Sequence, residues 1–193
     1  MNCKNIKYPI LFSFCFLQAA YKVDMRKKRP RWKPDRAYSR HLSRPLFDFP
    51  IVFSGNFGEI RSNHFHGGLD FKTGGAIGKP VHALADGHIS RIRVTHGSGY
   101  VLDVDYDNGY STINRHLSAF VGDIARRVKD LQYEQESWEV EITPEPGEYP
   151  VKAGQVIALS GNTGYSFGPH LHLDMIESAT RDYVDPLPFL WRR

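Results

Sequence analysis

Short runs in which apolar and polar side chains alternate recur from Phe47 onward. In one run Ile92 and Val94 alternate with arginines, and in the next Leu102 and Val104 alternate with aspartates. A period of two predicts β-strands that bury one face and expose the other. The chain from Phe47 onward is therefore expected to consist mainly of short strands.

A hairpin signal and three further runs extend this pattern. Asp107-Asn108-Gly109 is a typical hairpin turn signal, and the next predicted strand starts directly after it, at Tyr110, and ends at Leu117. Two more strands are predicted over 156–160 and 170–176. Strands spaced in this way predict an all-β fold, a small antiparallel sandwich or half-barrel.

One segment has helical rather than strand spacing. Its apolar side chains predict a helix of about three turns, and Asp123 is positioned to cap it. An acidic stretch over 134–148 follows. We expect residues 122–148 to form an insertion over one edge of the sheet. The apolar positions are Val121, Ile124, Ala125, Val128 and Leu131.

Residues 1–21 have the layout of a signal peptide or a short membrane anchor. Lys4 and Lys7 precede an apolar run over 8–20, which is the order found in export signals. The run has about thirteen residues, fewer than the roughly twenty that span a bilayer. A basic cluster over 26–29 disfavours export, and a buried N-terminal strand or helix is the alternative. We expect a cell-envelope location, periplasmic or secreted, with or without a retained anchor.

The net charge of +4 is unevenly distributed. Residues 22–44 contain ten Lys and Arg against two Asp, whereas residues 45–193 contain thirteen against nineteen Asp and Glu. We expect 22–44 to be a basic disordered linker, either a solvated spacer or a tether to a membrane or an anionic envelope polymer. Residues 45–193 form one expected domain. Its acidic character argues against nucleic-acid binding, which would need basic residues on the fold.

Histidine and aspartate carry the candidate chemistry, because the cysteines, Cys3 and Cys15, both precede the folded body. On the last predicted strand His170, His172 and Asp174 share one face, and apolar side chains occupy the other. We expect the apolar face to close the core. Two imidazoles and a carboxylate then lie on the open face.

Three more side chains extend this set. His66 and Asp70 would lie about 13 Å apart on an extended strand, but Gly67-Gly68 between them permits a tight bend that aims both at one point. His116 is expected on a polar strand face that it shares with Asn114. All three can therefore meet the histidines of the last strand.

Three imidazole or carboxylate ligands with a fourth position open to water form a catalytic zinc site. A lone histidine is usually a surface or core residue, and we expect this of the histidines at 41, 82, 88 and 96; His64, beside the site, is left open. The combined set predicts metal-assisted hydrolysis. Its members are His66, Asp70, His116, His170 and His172.

A longer series of motifs accompanies these residues over about 47–178. In this order it resembles the lysostaphin-type (LytM-like) zinc endopeptidases, which cut peptide cross-bridges of bacterial peptidoglycan. The series comprises Phe57-Gly58, Arg61, His66-Gly67-Gly68-Leu69-Asp70, Gly78-Lys79-Pro80-Val81-His82-Ala83, Asp86-Gly87, Gly97-Ser98-Gly99-Tyr100, Arg115-His116-Leu117, Val151-Lys152-Ala153-Gly154-Gln155, Ser160-Gly161-Asn162-Thr163-Gly164 and Ser166-Phe167-Gly168-Pro169-His170-Leu171-His172.

The resemblance implies a zinc ion, Zn²⁺, bound by His66, Asp70 and His172. It also implies that His116 and His170 are catalytic histidines that do not bind the metal, and that a groove crosses a small antiparallel half-barrel. The chain departs from the family pattern at three places. It has Asn114-Arg115 where a Tyr and a small residue are usual, Asp174 where Glu is usual, and the insertion over 122–148.

Several roles stay open at this point. Asp174 either orients a ligand or is a surface carboxylate. Tyr165 and Phe167, in the Gly161–Gly168 loop that is expected to wall the groove, either contact a peptide or pack within the loop. Arg61 pairs with a substrate carboxylate or a structural one. Which of the two catalytic histidines moves the proton is also undecided.

The function expected from these observations is zinc-dependent hydrolysis of peptide bonds in peptidoglycan stem peptides or cross-bridges, by a monomer. A non-catalytic member that binds peptidoglycan or activates another hydrolase is the alternative. It is disfavoured because all five histidine and aspartate positions are present. A third interpretation, a binder of an anionic polymer through residues 22–44, requires the basic arm for function.

Overall fold

Antiparallel sheet accounts for nearly all the regular structure in this computed structural model, which describes residues 45–190. The expectations for residues 1–21 and 22–44 lie outside the described residues. The strands are β1 (Phe53–Gly55), β2 (Gly68–Lys72), β3 (Pro80–His82), β4 (Gly87–Thr95), β5 (Gly99–Tyr106), β6 (Tyr110–Leu117), β7 (Ala119–Phe120), β8 (Val140–Ile142), β9 (Pro150–Val151), β10 (Val156–Leu159), β11 (His170–Glu177) and β12 (Tyr183–Val184). The helices are α1 (Gly122–Glu134) and α2 (Leu187–Leu190).

Within the described residues the strands form two sheets. The larger sheet has the order β1-β2-β11-β6-β5-β4-β8, with β12 paired to β11 and β9 to β4. The smaller sheet has the order β3-β10-β7. All these pairs are antiparallel. The predicted all-β antiparallel fold is therefore confirmed, and no helix over 45–190 is long and apolar enough to cross a membrane.

One hydrophobic core is shared by the two sheets. Leu102, Leu171 and Leu173 of the larger sheet are fully buried together with Ile157 and Ala158 of the smaller one. These leucines belong to the apolar sets of alternating strands, so burying one face of each strand builds the core. The opposite face of β11 is left for His170 and His172.

The strands predicted from alternation occur as expected. β4, β5, β6, β10 and β11 match the predicted runs closely, and the hairpin turn over 107–109 joins β5 to β6. The remaining strands give weak sequence signals because nearly all of them are very short: β1, β3 and β8 have three residues each and β7, β9 and β12 have two, whereas β2 has five. Such short strands are defined by their partners rather than by a pattern of their own.

Helix α1 is present, but the predicted cap is wrong. Val121 is the N-cap residue, with an extended backbone and no side-chain hydrogen bond to the helix. Asp123 lies in the first turn, where its carboxylate accepts a hydrogen bond from Arg126 at 2.8 Å. There it still favours the helix through the helix dipole. Ile124 and Val128 are the buried residues of the helix.

The insertion lies at an edge of the larger sheet, as expected, and adds a strand that was not predicted. In β8, Val140 pairs with Val94 and Ile142 with Ile92 of β4. The acidic stretch thus contains a three-residue alternating run, which is too short to be recognised among its acidic neighbours.

The prediction that Asn114 and His116 share a polar face of β6 is wrong. Asn114 lies opposite Leu173 across the ladder, and since directly opposed residues point to the same side, Asn114 faces the core, where it is fully buried. His116 reaches the other side because its backbone has φ 61° and the β5–β6 register shifts between Asn114 and Leu117, the interval that contains it. Alternation therefore breaks at His116.

Candidate metal centre and active-site groove

A groove of about 1440 Å³ crosses the face of the larger sheet that does not contact the core. Strands β2, β6 and β11 form its floor, and the loops around Gly97, Phe65 and Phe167 form its sides. All five predicted site residues line this groove. They are His66, Asp70, His116, His170 and His172.

Three potential ligand atoms converge at the centre of the floor. His66 Nε2 lies 3.1 Å from Asp70 Oδ1 and 3.0 Å from His172 Nδ1, and the last two atoms are 2.9 Å apart. Among the described residues this is the group of histidines and carboxylates that could hold a metal ion. Asp70 and His172 come together because they are directly opposed in the β2–β11 ladder.

His66 joins them from the loop before β2, where a tight bend was expected at Gly67-Gly68. Neither glycine has a positive φ. Gly68 is required by space instead, because a Cβ there would lie 2.1 Å from the carbonyl oxygen of Leu173. The convergence of His66 on Asp70 therefore depends on the close approach of β2 to β11.

Hydrogen bonds on the outer side of each ring define the ligand atoms. His66 Nδ1 lies 2.8 Å from the carbonyl oxygen of Asn56, and His172 Nε2 lies 2.6 Å from Asp174 Oδ1. Both partners can only accept, so each of these nitrogens carries the hydrogen. The inward nitrogen of each neutral ring then bears a lone pair.

Two lone pairs and a carboxylate oxygen that face one another require a cation between them. In a tetrahedral zinc site with bonds of about 2.0–2.1 Å, ligand atoms are about 3.3 Å apart. The distances observed for His66, Asp70 and His172 differ from this by only a few tenths of an ångström. The residues therefore fit a metal ion of this kind.

The pKa shifts within the cluster also favour a cation at its centre. Burial opposes the charge on Asp70. In the metal-free cluster, hydrogen bonds from inward-facing protons on His172 and His66 hold the pKa of the Asp70 carboxyl well below its usual range. Burial would also lower the pKa of His172, yet its bonds to Asp174 and Asp70 raise that pKa to about 9. The centre thus favours positive charge, in the form of a proton or of a metal ion.

Asp174 is not a surface carboxylate, since it is only 2% exposed. Its Oδ1 accepts from His172, and its Oδ2 accepts from Arg115 Nε at 2.9 Å and Nη2 at 2.7 Å. Arg115 Nη1 donates to Ser98 Oγ at 3.1 Å. Burial alone would raise the pKa of the Asp174 carboxyl, but His172 and Arg115 hold it below its usual value.

Arg61 has a structural carboxylate as its partner. Its Nη2 donates to Asp70 Oδ2 and to Glu59 Oε2, each at 3.0 Å. Because Arg61 engages Oδ2, the other oxygen of Asp70 is left to face the two histidines. The alternative that Arg61 is reserved for a substrate carboxylate is therefore disfavoured.

His116 and His170 lie beside the three-atom cluster, with ring centroids 4.9 Å apart. His116 Nδ1 donates to the carbonyl oxygen of Thr163 at 2.9 Å, and His170 Nδ1 donates to that of Gly168 at 2.8 Å. Each ring in its neutral form therefore presents a proton-free Nε2. Burial lowers the pKa of His116 to about 4, despite its bond to Thr163, so this ring is neutral at neutral pH.

Two loops that pack tightly against each other form the groove wall next to His116. A Cβ on Gly99 would lie 2.0 Å from Thr163 Oγ1, and one on Gly164 would lie 2.4 Å from the backbone nitrogen of Gly99. Thr163 Oγ1 also accepts from the backbone nitrogen of Tyr100 at 3.0 Å. This packing fixes the carbonyl that orients His116, a role that was not assigned to Thr163 from the sequence although Thr163 belongs to the motif over 160–164.

Exposed aromatic side chains stand on the rim of the groove. Phe65 is 71% and Tyr165 84% exposed, and Phe167 is fully exposed. The alternative that Tyr165 and Phe167 pack within their loop is therefore disfavoured. His64 lies on the same rim, where its Nδ1 is 2.6 Å from Asn63 Oδ1. It is not part of the metal-ligand cluster.

Comparison with known proteins gives consistent results. The chain is 33% identical over 132 residues to the glycyl-glycine endopeptidase ALE-1 of Staphylococcus capitis, which covers 66% of this chain and 29% of that protein. Its fold matches a zinc containing peptidase from Vibrio cholerae with a TM-score of 0.57 and 25% identity, over 80% of this chain and 41% of that one. No family model matches the chain.

The catalytic domain of lysostaphin from Staphylococcus simulans matches over 72% of this chain and 92% of its own length, with a TM-score of 0.54 and 28% identity. The chain spans about 29% of the length of ALE-1, so the likeness to that protein concerns one part of it. Sequence and fold agree, and both are similar to the lysostaphin-type (LytM-like) peptidases.

Proposed function

We propose that this chain is a zinc-dependent endopeptidase that hydrolyses peptide bonds in the stem peptides or cross-bridges of peptidoglycan. The observation that carries the proposal is the set of three inward-facing acceptor atoms at the floor of an open groove, with two proton-free imidazole nitrogens beside it. The names of the relatives, a glycyl-glycine endopeptidase and a zinc containing peptidase, support the same reaction class.

His66 Nε2, Asp70 Oδ1 and His172 Nδ1 would hold the metal. Two imidazoles and one carboxylate suit zinc, which takes three protein ligands and keeps one position open in catalytic sites. When bound, zinc supplies Lewis-acid activation of the attacking water and of the peptide carbonyl. The groove leaves this side of the cluster accessible, as a substrate requires.

His116 and His170 are the proposed catalytic histidines. Because each Nδ1 is held as a donor to a backbone carbonyl, each Nε2 is free to accept the proton that the attacking water loses. Burial lowers the pKa of His116 and keeps this ring neutral before the reaction, and either of the two rings can take the proton. The proton can then be delivered to the amine that leaves.

The rim aromatics are proposed to hold the peptide on either side of the centre. Phe65 precedes the ligand His66 directly, and Phe167 lies three residues before His170. Exposed aromatic side chains provide large apolar contact area at a binding site. A peptide lying along the groove would contact both residues while its carbonyl approaches the ligand cluster.

The remaining assignments concern the whole chain. We propose that residues 45–193 are the peptidase domain, that 1–21 direct the chain to the envelope, and that 22–44 are a linker able to contact a membrane or an anionic envelope polymer. We further propose a monomer located in the cell envelope, periplasmic or secreted, because peptidoglycan is found there.

The test is to incubate the purified full chain with muropeptides carrying direct cross-links and, separately, glycine bridges, and to identify fragments by mass spectrometry. Cleavage of one class is expected, with loss of activity on chelation and recovery when zinc is restored. A zinc-loaded chain that binds peptidoglycan without cleaving it would support the non-catalytic alternative. Activity that disappears when only residues 22–44 are deleted would favour the arm-dependent interpretation.

A further inference from the structure

Arg115 lies directly opposite the proposed ligand His172 in the β6–β11 ladder, and its guanidinium is linked to the His172 ring through a single carboxylate. Asp174 accepts at both ends, from His172 Nε2 at 2.6 Å on Oδ1 and from Arg115 Nε and Nη2 on Oδ2. Its side chain is 3% exposed, so water does not replace either partner. The protein's own side chains form this series of contacts without any bound group.

The bond between Asp174 and His172 determines which nitrogen of the His172 ring can bind a metal ion. Imidazole can present either Nδ1 or Nε2 to a metal, and the nitrogen that is not hydrogen-bonded on the outer side binds. With Asp174 Oδ1 fixed against Nε2, His172 directs Nδ1 inward. Asp174 can stay in this orientation because the Arg115 fork engages its other oxygen, and Ser98 holds the third guanidinium nitrogen.

We propose that Arg115 is a positioning residue, which sets through Asp174 the tautomer of His172 and thereby the affinity of the centre for zinc. The inference rests on the proposed metal site. It assigns to Arg115 a role in the groove floor rather than in substrate contact, since its Nε, Nη1 and Nη2 all have partners within the described residues.

Asp174→Asn tests the proposal because an amide has one accepting and one donating end. With Arg115 present, the amide oxygen must face the two guanidinium donors, so the NH₂ group faces His172. That arrangement favours the tautomer with the hydrogen on Nδ1, the inward atom. Zinc affinity, measured by competition with a chromophoric chelator, is expected to fall about 10–100-fold.

Arg115→Met in the Asp174→Asn background should restore part of this loss. Without the guanidinium the amide can turn its oxygen to His172, so the double variant should bind zinc about threefold or more tightly than Asp174→Asn alone. A merely structural role for Arg115 would make the double variant weaker than the single one.

The matched control is a second arginine–aspartate pair on the same sheet face. Arg93 Nη2 donates to Asp103 at 2.6 and 2.9 Å, and both side chains are largely buried. Neither contacts the metal-ligand cluster. Asp103→Asn should leave zinc affinity within about twofold of the parent.

One further measurement uses the parent chain, so it does not depend on whether a variant folds. Nitrogen-15 NMR of the histidine rings in the zinc-loaded protein should show His172 bound through Nδ1, with a hydrogen on Nε2. Binding through Nε2, or equal zinc affinity of Asp174→Asn and the parent, would overturn the inference alone. A parent chain that binds no zinc would overturn the proposed function, and this inference with it.

Discussion

Gly68→Ala tests whether the ligand cluster depends on the close approach of two strands. Gly68 is the first residue of β2 and lies opposite Asp174 of β11. An added Cβ would lie 2.1 Å from the carbonyl oxygen and 2.6 Å from the carbonyl carbon of Leu173, and 2.8 Å from Asp174 Oδ1. Two of these three atoms are backbone, so rotating a side chain cannot relieve the overlap.

The expected magnitude follows from this geometry. To restore ordinary contact, β2 must move away from β11 by about 1 Å or more. Overpacking of this kind costs about 1–3 kcal/mol, which corresponds to a fall in Tm of about 3–10 °C for a domain of this size. Asp70 and His172 face each other two residues further along the same ladder, so the movement should also separate their ligand atoms.

Thermal unfolding with zinc and with a chelator measures both effects. In the parent, zinc at about one hundred times its Kd should add about 2.7 kcal/mol of stability, and Gly68→Ala should reduce this increment as well as the metal-free stability. Gly97→Ala is the control, because Gly97 has no positive φ and no atom within 4 Å of an added Cβ. A Gly68→Ala protein with parental stability and an unchanged zinc increment would refute the reasoning.

Three further predictions concern the groove. His172→Ala and Asp70→Ala should each lose bound zinc, measured as metal content after gel filtration; unchanged content would remove those residues from the ligand set. His170→Ala should keep its zinc but lose about 100-fold or more in kcat, and full activity would mean that this ring has no part in the reaction. Phe167→Ala should raise KM and leave the zinc content unchanged. Tyr133→Ala, which removes an exposed aromatic side chain on α1, should leave KM unchanged. A KM of Phe167→Ala equal to that of the parent would exclude a contact between Phe167 and the peptide.

Much of the floor of the groove could be predicted because β11 has a clean period of two. Leu171, Leu173 and Met175 are all fully buried, so the opposite set, which includes His170 and His172, had to lie on the other face. A single face assignment on one strand thus placed two of the five predicted side chains correctly.

The same rule failed on β6 because alternation breaks inside that strand. His116 has a left-handed backbone, which costs a residue with a side chain about 1–2 kcal/mol and is usually indicated by glycine or asparagine. The conformation is supported by the bond from His116 to Thr163 and by the burial of Leu117. Nothing in the local sequence indicates the bond to Thr163, because that residue lies 47 positions further along the chain.

Local sequence patterns could not predict the partners of Arg115 and Gly68, for a related reason. Arg115 bonds to Asp174 and Gly68 packs on Leu173, and each contact joins strands that are far apart in sequence. Their register decides which side chains meet. Periodicity defines the faces of a strand, but it does not define the register between strands.

The charges around the cluster link metal binding to the chemistry of the groove. Glu59, Asp70 and Asp174 contribute three carboxylates, and Arg61 and Arg115 oppose them with two guanidinium groups. These five side chains are together slightly negative, and a proton on His172, whose pKa is raised to about 9, offsets this charge in the metal-free centre. The centre becomes net positive when a divalent cation replaces that proton. A developing oxyanion in the groove is stabilised by positive charge that is already in place. In this protein that stabilisation should exist only in the metal-bound form, because the two guanidinium groups are already neutralised by the carboxylates that orient the ligands.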